Sequence, residues 1–369
     1  IHSSGERATL IAGTSTGMVM YDGEVTRELS PLSIELKYVT YFSNRAFAGH
    51  VTDAGQQYPQ SVWTSDIGDV EEWVTGSASK TDLLDNDDWI TWLHPLRSHL
   101  LIYKENSITS CVPTGDSELP FLYTENTIEK GTPAGRTVQS IQGEYHIFLG
   151  NDLNVYVTDG TILKSIGDEV KDDINKNINR SSVQYAYSIL LEEWHLYLLF
   201  LPTGTSDYPN TIYVYNYQEN HWVYWSFANK MTSACEYQLP LSSIMRWSDY
   251  ADGVKLNTLS SQRWGDKLPR KPVSLIFGDE SGNVYRMDYT LTNDAGAPLS
   301  AFLETRDYSH DHIHAVRAVE SIIVTDEEEE ENNYINVSMS TDAGVSFSNP
   351  VQVDINSSNE VHQNRFRFV

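Results

Sequence analysis

The chain has 369 residues, of which 25 are Lys or Arg and 51 are Asp or Glu, so its formal net charge at pH 7 is −26. Proteins that hold nucleic acid by neutralising phosphates, or that bind anionic membranes, need a basic face, and this balance disfavours both classes. The hydrophobic share of 40% and the aromatic share of 11% exclude a disordered chain and supply a large core.

Short segments rich in Val, Ile, Tyr, Trp and Thr recur along the chain, and each is bounded by Gly, Asp, Asn or Pro. This pattern predicts many antiparallel strands. In chain order the strands form six packets, whose first strands begin at Thr9, Ile34, Trp89, Thr137, Val183 and Met231. Helical periodicity is clear once, in apolar residues spaced four apart, and predicts a helix from Ile166 to Asn179.

One phrase returns in three packets: Gly13 to Asp22 (GTSTGMVMYD), Gly150 to Asp159 (GNDLNVYVTD) and Gly278 to Asp288 (GDESGNVYRMD). Each copy joins a strand ending in Gly, a polar turn and a strand with an aromatic residue near its end. Units of about four strands that cannot bury both faces alone must stack on their neighbours, and radial stacking produces a β-propeller. The sequence therefore predicts an all-β fold with a propeller of about six blades; a stack of β-sandwiches is the alternative.

The sequence pattern changes near residue 310. A long strand from Ala315 to Thr325, an acidic turn over Asp326 to Glu331 and strands at Tyr334 to Ser340 and Val351 to Ile355 follow. We expect a propeller over residues 1–310 and, over residues 311–369, a small C-terminal β-sandwich-like module or an extension of the last blade.

Five stretches together resemble the tail hub proteins of short-tailed bacteriophages, also named packaged-DNA stabilisation or tail accessory proteins. They are Asn44 to Trp73 (NRAFAGH, then VWTSDIGDVEEW), Leu100 to Ile108 (LLIYKENSI), Ile128 to Gly160, Ile189 to Phe227 and Val337 to Pro350. The resemblance covers most of the chain as a succession of loose phrases. The long segment from Leu239 to Pro272 and the acids after Asp326 depart from it.

The resemblance implies a homo-oligomeric ring beneath the portal and adaptor proteins of a virion tail or neck, synthesised in the host cytoplasm. It implies contacts with other tail proteins and with packaged DNA in the channel, without sequence-specific binding, and no catalytic residue. The acidic charge fits this role, because a like-charged channel repels the DNA backbone and lacks the counterion release that makes basic surfaces adhesive.

Several clusters have the composition of metal or turn sites. His310, His312 and His314 share one face of a strand, with Asp311 between them, at a spacing that zinc could use, although no fourth ligand can be named. Asp82, Asp85, Asp87 and Asp88 with Asn86 resemble a calcium loop, or cap the next strand; the EF-hand order is missing. Ser340 to Phe347 (STDAGVSF) resembles the Asp-box of sialidases, in which Asp342 and Gly344 would form a structural turn.

The acids at Glu71–Glu72 and Glu192–Glu193 would point to opposite faces in strands and form no acid–base pair. The aromatic residues Trp222, Tyr224, Trp225 and Phe227 suit packing between blades or a carbohydrate platform. Two cysteines, Cys111 and Cys235, allow at most one disulfide bond. No catalytic, cofactor or metal residues are therefore assigned: we expect a structural protein and not an enzyme, with a propeller carbohydrate-active protein, a glycosidase or a lectin-like adhesin, as the alternative.

Overall fold

The computed structural model of the chain describes residues 2–4, 7–14, 17–21, 26–28, 34–84, 87–116, 118–226, 229–238, 273–287, 293–294, 297–298, 319–325, 334–340, 346–354 and 362–368. The chain forms two compact units, Ile1–Tyr289 and Thr290–Val369. The sequence prediction placed this division after residue 310, a position that lies outside the described residues.

The first unit is a succession of six antiparallel sheets, numbered I to VI here, in which spatial order equals chain order. Sheet I contains β1 (His2–Ser4), β2 (Arg7–Thr14), β3 (Gly17–Tyr21) and β4 (Thr26–Glu28), and sheet II contains β5 (Ile34–Phe42), β6 (Arg45–Asp53), β7 (Gln56–Thr64) and β8 (Ser79–Asp82). Sheet III contains β9 (Ile90–Leu96), β10 (His99–Lys104), β11 (Ile108–Pro113) and β12 (Phe121–Ile128).

Sheet IV contains β13 (Gln139–Ile141), β14 (Tyr145–Leu149), β15 (Val155–Thr158) and β16 (Leu163–Ser165), and sheet V contains β17 (Tyr187–Leu191), β18 (Leu196–Leu201), β19 (Thr211–Asn216) and β20 (His221–Ser226). Sheet VI has three strands in the described residues, β21 (Met231–Gln238), β22 (Val273–Asp279) and β23 (Val284–Arg286).

Successive sheets pack face to face through shared hydrophobic clusters. Phe47 of sheet II lies in one cluster with Leu93 and Leu100 of sheet III, and the same arrangement joins III to IV, IV to V and V to VI. In β18 alternate residues serve both neighbours: Leu199 faces the cluster shared with sheet IV, and Phe200 faces the cluster shared with sheet VI. Burial on both faces explains why β18 reads as the continuous apolar run LYLLFL.

Four-stranded meanders that follow one another along the chain and stack face to face are the blades of a β-propeller. The prediction of an all-β propeller with about six blades and a small C-terminal β module is confirmed. Within sheets I to VI three strands were not predicted, β1, β8 and β12, and each lies at an edge of its sheet. The fourth strand predicted for the last packet, Ala301 to Arg306, lies outside the described residues.

The predicted helix is shorter than its pattern. Helix α1 spans Lys171–Asn177, because the amides of Ile166 and Gly167 donate to Val155 O and keep that segment attached to sheet IV. The apolar face was nevertheless identified correctly, since Ile174 is fully buried in the cluster between sheets IV and V. The predicted start of the next strand at Val183 is wrong, because Arg180–Tyr185 forms a 3-10 helix.

In the second unit the described strands are β24 (Asn293–Asp294), β25 (Ala297–Pro298), β26 (Val319–Thr325), β27 (Tyr334–Val337), β28 (Val351–Asp354) and β29 (His362–Phe368). They pair as antiparallel ribbons, β24 with β25, β26 with β29 and β27 with β28. No helix among the described residues has the length and apolar character needed to cross a membrane.

Candidate functional site

The first strands of successive sheets lie against one another. Strand β5 contacts β9, β13 contacts β17, and β17 contacts β21, while the 3-10 turn Gly135–Thr137 joins β9 to sheet IV. In a propeller, the strands at which neighbouring blades come closest border the central axis. We therefore call this row of first strands the inner seam and take it as the candidate site.

Backbone carbonyls and neutral side chains hold the inner seam between sheets IV and V. Thr137 O accepts hydrogen bonds from Ser188 Oγ and from Tyr197 OH, each at 2.8 Å. Gln139 Nε2 donates to Ser188 O, also at 2.8 Å. These groups satisfy one another, so this part of the seam is a structural joint between two blades.

Two histidines lie at the seam between sheets III and IV. The rings of His94 and His146 meet edge to face at 4.6 Å, and His146 is fully buried. Tyr103 OH donates to His146 Nδ1 at 2.9 Å, and His146 Nε2 donates to Pro95 O at 3.0 Å. Burial, reinforced by His94, lowers the pKa of His146 to about 3, and burial lowers that of His94 as well. His146 is therefore neutral at pH 7, and one ring nitrogen accepts a hydrogen bond while the other donates one.

An aromatic cluster occupies the seam between sheets II and III. Tyr38 meets His50 at 6.3 Å and Trp92 at 5.7 Å, and His50 meets Trp89 at 6.0 Å. His50 Nδ1 and Trp92 Nε1 are buried and have no hydrogen-bond partner among the residues that the structure describes. Burial, and then the charge of Lys37, lowers the pKa of His50, so this ring is also held in its neutral form.

Buried ions lie where the β8–β9 connection meets sheet III. Lys104 Nζ is fully buried and pairs with Glu125 Oε2 at 3.1 Å while donating to Leu83 O at 3.2 Å. Asp88 is also buried and accepts from the Asn106 amide at 3.0 Å and from Ser107 Oγ at 2.9 Å. Each charge is matched by specific donors or acceptors, as buried ions require.

The predicted acidic loop is divided among several partners. Asp82 accepts a hydrogen bond from Ser61 Oγ, Asp87 accepts one from Gln60 Nε2 at 2.9 Å, and Asp88 binds the β10–β11 turn; residues 85 and 86 lie outside the described residues. Across the part of the chain that is described, no three His, Cys, Asp or Glu side chains converge as a metal site would require. The predicted cluster of His310, Asp311, His312 and His314 lies outside that part.

The other predicted groups are spread over separate structures. Glu72 Oε1 accepts the amides of Val74 and Thr75 in the β7–β8 connection, and Glu192–Trp194 is a 3-10 helix, so neither acidic pair lies in a strand. The turn with Asp342 and Gly344 lies outside the described residues, but Ser348 N donates to Met339 O at 2.8 Å and pairs the two flanks of this turn.

The aromatic residues of β20 do not form one platform. Trp222 packs into the cluster shared with sheet IV, and its Nε1 donates to Ile166 O at 2.8 Å. Trp225 packs into the cluster shared with sheet VI, so the two indoles face different blades; Phe227 lies outside the described residues. The two cysteines are free, Cys111 buried and Cys235 exposed, and burial raises the pKa of Cys111 to about 12.

Sequence reasoning missed the His94–His146 pair and the Lys104–Glu125 pair. His94 and His146 are 52 positions apart and meet only when sheets III and IV stack, while Lys104 and Glu125 are 21 positions apart, on β10 and β12, and meet only when sheet III forms. The one signal in the sequence is a polar residue inside an apolar strand pattern, such as His146 in YHIFL. Such a residue indicates a buried partner without identifying it.

Comparisons with known proteins give structural likeness at low identity. No family model and no curated protein matches the chain. Among solved structures, a BBS1N chain crystallised in complex with ARL6DN is 10% identical, with 77% of this chain and 74% of that chain covered and a TM-score of 0.44. Hsv2 of Kluyvelomyces marxianus is 11% identical (75% and 71% covered, TM-score 0.39), and BamB of Moraxella catarrhalis is 9% identical (76% and 71% covered, TM-score 0.37).

Proposed function

We propose that the chain is a non-enzymatic structural subunit of a short-tailed phage tail, which assembles as a ring with copies of itself and borders the channel through which DNA passes. In this role the propeller is a rigid building block in the virion. Neighbouring tail, adaptor or portal proteins bind its loops and strand edges.

The observation that carries the proposal is the net charge of −26 on a folded, stacked-sheet protein. Two of the few cations are withdrawn from the surface, since Lys104 is fully buried and Arg45 is 5% exposed. Two anions are buried as well, Asp88 at 2% and Asp279 at 6% exposure, so these four residues leave the acidic balance of the surface as the composition gives it. An acidic surface repels DNA phosphates and gains nothing from counterion release, which suits a conduit along which DNA must slide.

The placement of the polar groups supports a structural role. The four phrases that lie in sheets II to V fall on strands with buried residues and on the corners that join them: Arg45 in NRAFAGH donates to Ser65 O at 3.0 Å, and Lys104 in LLIYKENSI pairs with Glu125. The histidines between sheets II, III and IV are neutral and are engaged in packing or hydrogen bonds. These phrases therefore encode blade architecture, which is what members of a structural family need to share.

The test is the mass of the purified protein by light scattering over a range of concentrations, alone and after mixing with portal and adaptor proteins of a short-tailed phage. We expect a closed oligomer, either alone or on mixing. A protein that stays monomeric and does not bind the tail components contradicts the proposal. Assays of glycan binding and glycoside hydrolysis would then test the alternative, a carbohydrate-active protein.

A second assay tests the charge argument independently. Duplex DNA is titrated with the protein in low salt and resolved on a native gel. We expect no retarded band, because phosphate contacts need basic residues on the surface. Retardation that disappears in high salt would show a basic DNA-binding face and would contradict the conduit role.

A further inference from the structure

One end of sheets II to V carries two connections from each sheet. In an antiparallel meander, the connection from the first to the second strand and that from the third to the fourth lie at the same end. We call this end the acidic end and define it by residues 43–44, 65–78, 97–98, 114–120, 142–144, 159–162, 192–195 and 217–220.

Contacts between sheets join these connections into one surface from sheet II to sheet IV. The guanidinium of Arg45, which follows the β5–β6 turn, lies 5.6 Å from the ring of Phe121, which follows the β11–β12 connection. The guanidinium of Arg97, in the β9–β10 turn, lies 6.0 Å from the ring of Tyr145 at the start of β14. Neighbouring sheets thus touch at this end, and their connections lie side by side.

Each of the three third-to-fourth connections along this surface exposes large aliphatic side chains. Ile67 and Val74 of sheet II are 61% and 67% exposed, Leu119 of sheet III is 57% exposed and Ile162 of sheet IV is 69% exposed. Single exposed apolar residues are ordinary, but a repeated row on adjoining loops marks an interaction surface.

Carboxylates hold three of these four aliphatic residues in place. Asp66 Oδ1 accepts the amide of Ile67 at 2.8 Å, Glu72 Oε1 accepts the amide of Val74 at 2.8 Å, and Asp159 Oδ1 accepts the amide of Ile162 at 2.7 Å. The pKa of each of these carboxyl groups is lowered by the hydrogen bonds that it accepts, chiefly from Ser77 at Asp66, from the Thr75 amide at Glu72 and from the Ile162 amide at Asp159, so all three stay ionised at neutral pH. A loop that is already ordered loses little conformational entropy when it binds.

The charge of the acidic end restricts what can cover it. Every third-to-fourth connection of sheets II to V carries acids, namely Asp69, Glu71, Asp116, Glu118, Asp159 and Glu219. Within the described connections of this end, Arg97 is the one Lys or Arg. If two copies bound each other through their acidic ends, acidic residues would face acidic residues and repel one another. An anionic membrane would be repelled for the same reason.

We propose that the acidic end is a docking surface for a different protein, one that presents aliphatic side chains flanked by Lys and Arg. The exposed aliphatic side chains form the part of the interface from which water is excluded. The surrounding acidic residues favour a cationic partner and accelerate its association. This inference stands on the surface itself and does not depend on the tail role proposed above.

The test is site-specific photo-crosslinking of the full chain in cells that produce it with its natural partners. A photoreactive phenylalanine analogue is placed at Leu119 or Ile162, and at Leu84 as the control. Leu84 is 68% exposed and lies in the β8–β9 connection, at the opposite end of sheets II and III. We expect adducts of Leu119 and Ile162 with one protein, whose crosslinked peptides contain Lys or Arg beside aliphatic residues.

The identified partner is then purified and titrated against variants. We expect Ile67→Ser/Leu119→Ser/Ile162→Ser, and separately Asp116→Lys/Glu118→Lys, to weaken binding at least about tenfold, while Leu84→Ser leaves it within about twofold. All three variants alter exposed loops, so their melting temperatures should match that of the parent. Adducts with a second copy, adducts with lipid, or labelling no stronger than at Leu84 would each overturn the proposal. A confirmed cationic partner that is not a tail protein would sustain this inference and contradict the tail role.

Discussion

His146 couples the stability of the propeller to pH. Its ring is fully buried and uses Nδ1 to accept from Tyr103 OH and Nε2 to donate to Pro95 O, so the folded state holds it neutral with a pKa of about 3. The unfolded chain protonates this histidine near its ordinary pKa of 6.5. Between these values unfolding takes up a proton, and the free energy of unfolding must fall as the pH falls.

We expect this dependence to reach about 1.4 kcal/mol per pH unit below pH 6.5 for one such histidine. Urea unfolding between pH 7.5 and pH 5 measures it, above the range in which most carboxyl groups titrate. His146→Gln should be less stable than the parent at pH 7.5 but should show a shallower slope. His221→Gln is the control, because His221 is exposed. An unchanged slope in His146→Gln would refute the coupling.

Lys104 and Glu125 form an ion pair withdrawn from solvent, in which the Nζ to Oε2 distance is 3.1 Å and the side chains are 0% and 14% exposed. Removing one partner of such a pair leaves the other charge in a medium that solvates it poorly. We expect Lys104→Met to lower the free energy of unfolding by about 3 kcal/mol, and Lys104→Met/Glu125→Gln to cost less than the sum of the single changes.

The matched control is Lys230 and Glu280, which have the same separation of 3.1 Å but side chains that are 36% and 44% exposed. Because water screens this pair, Lys230→Met should cost below about 1 kcal/mol. The free energy of unfolding is measured by urea titration for four variants: Lys104→Met, Glu125→Gln, the double variant Lys104→Met/Glu125→Gln, and Lys230→Met. Equal costs for Lys104→Met and Lys230→Met would show that burial of the first pair has no energetic consequence.

At the scale of elements, the recurring phrase has a physical explanation. Asp152 accepts from Tyr156 OH at 2.7 Å and from the Asn154 amide, and Asp279 accepts from Tyr285 OH at 3.1 Å and from the Asn283 amide. Both acids thus close the hairpin between the second and third strands of a blade.

A local motif such as this hairpin could be predicted from the sequence, because its partners lie within a few positions of one another. The three strands of sheets I to VI that were not predicted show the opposite case: the sequence of β8 is SKTD, and β12 has the polar interior TENT. Edge strands pair on one side and face water, so they lack the apolar alternation from which strands are recognised. The polar corners and the histidine pair escaped prediction because their partners are distant in the chain: His94 and His146 come from different sheets, and Lys104 and Glu125 come from separate strands of sheet III.

Gly131 tests whether the connections between sheets are packed backbone to backbone. A Cβ atom on Gly131 would lie 2.2 Å from Lys104 O and 2.4 Å from Asn106 N, and neither backbone atom can move without disturbing the β10–β11 turn. We expect Gly131→Ala to cost about 3 kcal/mol or to prevent folding, at the upper end of overpacking penalties. Thermal unfolding followed by circular dichroism measures the loss.

Gly143→Ala serves as the comparison, because a Cβ atom there meets nothing within 4 Å and the strain arises from the φ angle of +70° alone. That strain costs about 1 kcal/mol. If both alanine variants melt at the same temperature, close packing at Gly131 is not what requires a glycine.

At the scale of the whole molecule, stacking explains why so much of the chain is apolar. The central strands of each blade are covered by a neighbouring sheet on both faces, as Tyr197 to Leu201 show by their complete burial. Polar residues are therefore displaced to loops and edges, and because the charges of the buried Arg45, Lys104, Asp88 and Asp279 cancel, the net charge of −26 is carried by the rest of the chain. Association between copies must then overcome repulsion between like charges.

This repulsion makes the salt dependence of assembly informative. The screening length falls from about 30 Å at 0.01 M salt to about 8 Å at 0.15 M, so we expect the mass of the protein, measured by light scattering at fixed concentration and pH 7.5, to rise with salt. A complex of the acidic end with a cationic partner should respond in the opposite direction and weaken over the same range. Dissociation of the homo-oligomer by salt would mean that attraction between opposite charges holds the copies together, and the like-charge argument for the ring would fail.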